Sequence, residues 1–373
     1  MKNYIQSIKT ASFVMTMFFA LAGMLSSCQR EPLEVVDPNN SFDLVIRPRW
    51  IELDERPTGF TAIIYPTDGS TPKTIISNNV DSVKVTLPAG GYRVLIFNQT
   101  EAEFSSLAFR HMESYYDSQV MLAENTDDAG KYTIFPRSTL AQEPAVFASD
   151  CCNELYVAQH DIDVARGGNG RLRKILTMRP HIIISTLHIR LRVEGIYNGY
   201  AIGGCIDGMA GSVFPTYFEA GDDLGSYVVK DWKAEYDGVS KTGGYYVGKI
   251  RLFGMPGTSL YLSSSASIET QTGTEYQDTR SAATRSKSDP TFQPGDILLH
   301  MRVLQVDRKT IFTQTFTVGD LIERRLNDPL LFDLNIDEPV LELPYVKPAD
   351  GSGASGFDAE VEDWVVINNQ IRF

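Results

Sequence analysis

Histidine, cysteine and tryptophan are scarce in this chain of 373 residues, which contains 5, 4 and 3 of them respectively. The nearest histidines, His181 and His188, are an odd number of residues apart and would point to opposite faces of one strand, so they cannot share a metal ion. The sequence also has no Gly-x-Ser-x-Gly elbow and no His-Glu-x-x-His motif. These absences argue against the common metal-dependent and nucleophilic hydrolases.

Acidic residues are plentiful, but no pattern marks any of them for catalysis. Asp161 and Asp163 flank Ile162 on one side of a predicted strand, an arrangement that could hold calcium. No EF-hand loop accompanies them, and a solvated acidic face is the simpler interpretation. The glycine-rich residues 167–170 are not framed by the strand and helix that a phosphate site requires. A pair of glycosidase carboxylates is recognised by its spacing in three dimensions, which the sequence does not reveal. We therefore expect no enzymatic activity, no cofactor and no metal site.

Positive charge is in the minority, with 34 Lys and Arg against 47 Asp and Glu and a formal net charge of -13. Residues 1–27 carry two lysines and no acidic residue, so the remaining chain carries -15. Nucleic acid and anionic lipid head groups would repel such a chain, and neither is an expected partner. Beyond residue 28, no apolar run approaches the ~20 residues of a membrane-spanning helix.

The first 27 residues have the features of an export signal. Lys2 and Lys9 precede an apolar run that is too short to span a membrane, and the run ends in Leu25-Ser26-Ser27-Cys28. Small residues before a cysteine match the lipobox of bacterial lipoproteins. We predict that Cys28 becomes the acylated first residue, held in membrane lipid by acyl chains that contribute ~0.8 kcal/mol per buried methylene. The alternative is an ordinary secretory signal with an incidental cysteine.

Three cysteines remain if Cys28 is acylated. Cys151 and Cys152 are adjacent, and either could form a disulfide with Cys205 in an oxidising compartment. The alternative is three buried thiols. The sequence leaves both open, because it does not give the Cα separation of ~4.4–6.8 Å that a disulfide needs.

Short strand patterns separated by turns fill most of the remaining chain. Residues 83–87 alternate between apolar and polar side chains, as in a half-buried strand, whereas residues 94–98 are apolar on both faces and predict a strand covered on two sides. The strongest alternation lies between Ile183 and Val193. A short helix is expected over 318–326, and residues 112–122 form either a helix or a long connection.

These patterns predict an all-β protein of two tandem β-sandwiches. We divide the chain into a signal peptide (1–27), a tether (28–41), an N-terminal sandwich (42–178), a C-terminal sandwich (179–350), and a linker with a terminal strand (351–373). The terminal strand would close an edge of its own domain, which is the simpler interpretation, or dock on a neighbouring subunit by strand addition.

Several segments together resemble the fimbrillin-like lipoproteins of Bacteroidetes, in particular the fimbrial anchor subunits of the FimB and Mfa2 type. The resemblance lies in the lipobox and in residues 28–33 (CQREPL), 57–66 (PTGFTAIIYP), 87–92 (LPAGGY), 96–98 (IFN), 252–257 (LFGMPG) and 362–364 (EDW).

This resemblance implies transthyretin-like sandwiches, a lipid-anchored place in the outer membrane at the cell surface, and partner fimbrial subunits that join by strand exchange. Anchor subunits keep their lipid and receive a strand, whereas stalk subunits are trimmed by an arginine-specific protease that frees a groove. Arg47 and Arg49 lie near the first strand, but nothing in the sequence marks either as a cleavage site. No catalytic residue is implied.

A second class of function, a surface glycan-binding lipoprotein, is also compatible with tandem sandwiches. It predicts two or three exposed aromatic side chains in one plane on a domain surface. A fimbrial subunit instead predicts an exposed strand edge beside an apolar cleft.

Overall fold

Almost every regular element of the protein, seen in a computed structural model, is a β-strand. The structure describes residues 40–123, 139–141, 143–167, 170–229, 231–238, 242–260, 267–270, 273–278, 296–349, 365–367 and 370–372. Within them lie six β-sheets, one α-helix, α1 (Gln159–Gly167), and single-turn helices at Glu101–Glu103, Ile196–Asn198 and Gly319–Leu321. The all-β prediction is confirmed.

The strands are numbered along the chain. They are β1 (Ser41–Pro48), β2 (Phe60–Pro66), β3 (Lys73–Ser77), β4 (Val83–Pro88), β5 (Gly90–Asn98), β6 (Leu107–Arg110), β7 (Gln119–Leu122), β8 (Thr139–Ala141), β9 (Ala148–Val157), β10 (Arg173–Met178), β11 (His181–Ile182), β12 (Ser185–Glu194), β13 (Gly199–Ala210), β14 (Ser212–Phe214), β15 (Glu219–Ala220), β16 (Leu224–Val229), β17 (Lys233–Tyr236), β18 (Gly243–Leu252), β19 (Ser267–Thr270), β20 (Gly273–Asp278), β21 (Leu298–Gln305), β22 (Ile311–Thr317), β23 (Ile322–Arg325), β24 (Asp328–Glu342), β25 (Val365–Ile367) and β26 (Gln370–Arg372).

Two sheets form the first sandwich. Sheet 1 has the order β20-β19-β10-β1-β4, and sheet 2 has the order β11-β9-β5-β2-β3. Strand β1 lies between β4, to which it is antiparallel, and β10, to which it is parallel. Apolar residues of both sheets, including Phe42, Leu44, Ile64 and Val94, interdigitate as the first core. Helix α1 adds the buried Ile162 to it.

Two further sheets form the second sandwich. Sheet 4 has the order β17-β18-β12-β24-β23, and sheet 5 has the order β22-β21-β13-β16-β8. The alternation predicted in β12 is confirmed for Leu187, Ile189, Leu191 and Val193, which are fully buried in the second core. Strand β24 lies beside β12 and is parallel to it.

Sheet 2 is covered on both faces, as the double apolar pattern of β5 predicted. Val94 and Ile96 face the first core, whereas Leu95 and Phe97 face a third core. This third core packs sheet 2 against sheet 3, whose order is β15-β14-β7-β6, and against the segment that joins the two sandwiches. Because β7 pairs with β14, sheet 3 is built from chain segments on either side of residue 178.

Two more pairings cross the predicted boundary at residue 178, which is also the end of β10. Strand β8 adds to β16 in the second sandwich, and β19 adds to β10 in the first. The division into 42–178 and 179–350 stays a prediction, but each sandwich contains a strand from the other side of that boundary. For this, Thr139 must meet Gly225 and Lys174 must meet Thr270, and no local pattern reveals pairings over such long separations.

The local structure departs from the sequence-based expectation over residues 318–326. The helix expected over 318–326 is a single turn, Gly319–Leu321, followed directly by β23. Residues 112–118 form a connection without a helix, the second of the two alternatives, and lead into β7. Residues 132–135, whose composition also predicts a strand, lie outside the described residues. The apolar pattern over 318–326 is too short to distinguish a strand from a helix.

Candidate strand-exchange site

One side of the first sandwich ends in two outer strands that follow each other in the sequence. In the part of the chain that the structure describes, β3 pairs with β2 alone and β4 pairs with β1 alone. A loop, residues 78–82, connects them. Outer strands present unpaired backbone N–H and C=O groups to any extended segment that can reach them. We call this side, formed by β3, β4 and Trp50, the open side.

The first core reaches the open side without being fully closed there. Trp50, Ile75 and Val83 pack against that core while remaining only partly buried. Ile76, on the opposite face of β3, is 61% exposed. An extended partner segment at this side would gain backbone hydrogen bonds from an outer strand and cover apolar surface at the same time.

Strand β1, next to β4, is anchored on both of its faces. Phe42, Leu44 and Ile46 are fully buried in the first core. On the other face, the Asp43 carboxylate is 2.7 Å from Lys84 Nζ and 3.4 Å from an Arg171 nitrogen, and Thr86 Oγ1 donates a hydrogen bond to it over 3.0 Å. These contacts join β1 to β4 and to the residues that precede β10.

The pKa of Asp43 reflects this arrangement. Burial of the carboxyl acts to raise its pKa, but the hydrogen bonds from Lys84 and Thr86 and the charge of Arg171 outweigh burial. The pKa of Asp43 therefore lies below its ordinary value of 3.8. Sequence reasoning missed this group, because Asp43 occupies the polar half of an alternating strand and its burial comes from residues far along the chain.

The predicted lipid site and the predicted cysteine pairing both stay predictions. Cys28 lies outside the described residues. Cys151, Cys152 and Cys205 are buried thiols in the structure. Cys151 faces the third core and Cys152 faces the first, so the adjacent thiols lie on opposite faces of β9.

The titratable residues singled out in the sequence do not converge. His181 lies in β11 and its Nδ1 is 2.6 Å from Glu52 Oε1, whereas His188 lies in β12 of another sheet, so the expectation that they share one strand is wrong. Asp161 and Asp163 are on helix α1, not on a strand, so their side chains do not share a face. Among the described residues, no cluster of three metal-ligating side chains occurs.

The chain terminus differs from the single strand that was expected. In the described residues, β25 and β26 pair with each other as a separate two-stranded sheet. Neither is bonded to a strand of the two sandwiches there. Docking of the terminal segment, on its own chain or on a neighbour, stays a prediction.

Exposed aromatic side chains bear on the glycan-binding interpretation. Tyr197 and Tyr236 are 51% and 44% exposed, and their rings stack with 4.8 Å between centroids and 25° between planes. The two rings cover each other's inner faces. They form a stacked pair and not the coplanar platform that was expected for a sugar-binding surface.

No helix in the described parts of the chain has both the length and the apolar character needed to cross a bilayer. The fold of this chain is similar to that of a solved protein from Bacteroides ovatus ATCC 8483, an adhesin candidate. The two are 14% identical, the match covers 86% of this chain and 98% of that chain, and the TM-score is 0.56. The chain therefore has the fold of that all-β protein.

The chain belongs to the family described as a domain of unknown function, DUF5119, whose sequence model matches residues 27–224, more than half of the chain. That match extends from the predicted lipobox through the first sandwich and into the second. No curated protein matches the chain.

The solved structures that the chain matches also include fimbrial proteins, as the resemblance to fimbrillin-like proteins predicted. One is the fimbrial anchor protein Mfa2 from Porphyromonas gingivalis, which is 10% identical over 63% of this chain and 81% of that chain, with a TM-score of 0.36. Another is the tip fimbrial protein Mfa3 from the same organism, with a TM-score of 0.28. The resemblance is confirmed, and at these identities it carries no statement about activity.

Proposed function

We propose that this protein is a non-enzymatic fimbrial subunit of the outer membrane, held at the cell surface by acylated Cys28 and joined to other subunits by β-strand addition. The observation that carries the proposal is the open side, where two outer strands border a core that Trp50, Ile75 and Val83 close only partly. A partner's extended segment would complete that side.

An anchor role fits the chain better than a stalk role. Trimming after Arg47 or Arg49 would remove β1 together with Cys28 and its lipid. That removal would take the fully buried side chains of Phe42, Leu44 and Ile46 out of the first core and expose the core residues beneath them. It would also remove the ion pairs of Asp43. Burial of each such apolar side chain stabilises the fold by about 1.5–3 kcal/mol, so an untrimmed β1 is strongly held.

The lipid part of the proposal is tested by membrane fractionation. The full-length protein should label with a palmitate analogue and sediment with the outer membrane, and Cys28→Ala should do neither. An unlabelled native protein, or a Cys28→Ala variant that stays in the membrane, would exclude the acyl anchor.

The assembly part is tested at the open side. Ile75→Lys places a charge where a partner strand would pack, while the long lysine side chain can extend its ammonium into water and leave the fold intact. We expect this variant to lose SDS-resistant complexes and surface fibres in electron micrographs. Leu326→Lys is the matched control, because Leu326 is fully exposed on the second sandwich. Equal fibre formation by both variants would contradict strand addition at the open side.

A further inference from the structure

A pocket of about 380 Å³ lies at the end of β1. Its lining includes Arg47, Arg49, Trp50, Ile51 and, from other segments, Arg56 and Asp81. This volume is within the range of small-ligand sites, about 300–1,000 Å³. Trp50 also belongs to the open side, but the charged residues of the lining take no part in the proposed fimbrial contacts.

Two uncompensated positive charges face this pocket in an otherwise acidic protein. Arg47 and Arg49 are two positions apart on extended chain, so their side chains leave it on the same face. Both are exposed, and neither has an ion pair among the described residues, whereas Arg56 is paired with Asp81. Among the charged side chains that line the pocket, these two guanidiniums are therefore the ones without a counterion, and charges farther than about 8–10 Å are screened at physiological salt.

The pocket also has an apolar wall with a fixed aromatic ring. The Trp50 indole nitrogen donates a hydrogen bond of 3.0 Å to the Val80 carbonyl, and its ring packs edge-on against Phe60. Ile51, beside it, is 73% exposed. A rigid ring with an exposed neighbour offers a flat surface to the C–H face of a ligand.

We propose that this pocket binds an acidic sugar residue of a polysaccharide, such as a uronate. Arg47 and Arg49 would hold its carboxylate, since guanidinium groups match carboxylates in charge and in fork geometry. Trp50 would lie against the sugar ring. Asp81, on another wall, would accept hydrogen bonds from sugar hydroxyls and would repel a second carboxylate, which disfavours an acidic peptide.

The test is titration calorimetry of the full-length protein in detergent with cellobiouronic acid and with cellobiose, which differ in one carboxylate. We expect saturable binding of the acid, at least tenfold tighter than the neutral sugar and weaker at 500 mM salt. Arg47→Gln/Arg49→Gln should weaken binding at least tenfold, and Trp50→Leu should weaken it while the melting temperature confirms folding. Arg110→Gln/Lys347→Gln removes the same charge elsewhere and should bind normally.

Three results would overturn the proposal. They are equal binding of cellobiose, unchanged binding by the Arg47→Gln/Arg49→Gln variant, and equally tight binding of triglutamate, which would make the pocket a carboxylate-peptide site. The fimbrial proposal is unaffected by any of them, because its variants lie on β3 and at Cys28.

Discussion

Asp43 on β1 and Lys84 on β4 form an ion pair across neighbouring strands, with 2.7 Å between Oδ2 and Nζ. The Asp43 side chain is 5% exposed and the Lys84 side chain 53%. Removing the partners of Asp43, the buried member of the pair, should therefore destabilise the fold more than removing those of Lys84, since an unpartnered polar group lowers stability more when it is buried.

Replacing Asp43 by Asn should destabilise the folded protein by about 1–3 kcal/mol at pH 7, because the hydrogen bonds and ion pairs of a buried carboxylate are lost. Urea-induced unfolding followed by circular dichroism measures this. The control is Asp81→Asn, which removes an exposed partner of Arg56 and should have at most a small effect. Equal stabilities of the two variants would contradict a role for Asp43 in holding β1.

The same pair predicts a pH dependence. Because the pKa of Asp43 is lower in the folded than in the unfolded protein, the carboxylate stabilises the fold above its ordinary pKa of 3.8. This contribution is lost as the pH falls through the lowered pKa. The difference in unfolding free energy between the wild type and Asp43→Asn should therefore be constant from pH 7 to about 5 and shrink below pH 4. A difference that stays constant down to pH 2.5 would show that the carboxylate charge is not its source.

Strand β24 should contribute a large share of the second core's stability. Leu334 and Ile336 are 0% and 1% exposed there, between β12 and β23. Ile336→Ala should cost about 2–5 kcal/mol, the range for removing a large aliphatic side chain from a packed core. Leu326→Ala, at a fully exposed position, should stay within about 0.5 kcal/mol of the wild type. The unfolding midpoints of both in urea provide the comparison.

Sequence patterns predicted strands where the periodicity was sustained and failed where pairing decided the structure. The alternation in β12 and the double apolar face of β5 identified buried positions directly. The apolar residues Phe332, Leu334 and Ile336 of β24 alternate equally well, so this strand was predictable but was not predicted. The place of β1 between β4 and β10 was not predictable, because a parallel pairing across more than 100 residues leaves no local signal.

The open side illustrates the same limit at the candidate site. A strand can be recognised from its own residues, but whether it is an outer strand depends on which others pair with it. The sequence therefore predicted an exposed edge beside an apolar cleft without identifying β3 and β4. The burial of Asp43 was not predictable either, because it depends on Lys84 and Arg171, which only the fold brings next to it.

Gly208 marks an irregularity in β13 that no other residue can occupy without strain. Its φ is +88°, the register with β16 shifts beside it, and a Cβ there would lie 2.6 Å from the Asp296 carbonyl oxygen. Gly69 has a similar φ, +85°, but open space around it. Gly69→Ala should therefore cost about 1–2 kcal/mol from the backbone conformation alone, and Gly208→Ala distinctly more. Thermal unfolding of the two variants separates the effect of φ from that of the contact, and equal losses would mean that the contact is relieved by a small shift.

The state of the cysteines can be measured by counting thiols. Cys151, Cys152 and Cys205 are at most 1% exposed, and burial raises the pKa of the Cys205 thiol, with a smaller contribution from the charge of Asp207. In the folded protein these three should not react with a thiol reagent such as DTNB at pH 8. In denaturant, full-length protein from the membrane fraction should release three equivalents, because acylated Cys28 does not react. Four equivalents would show an unmodified Cys28, and one would show that two of the other cysteines are joined in a disulfide. Cys28→Ala is the control, since it should give three equivalents whether or not the wild type is acylated.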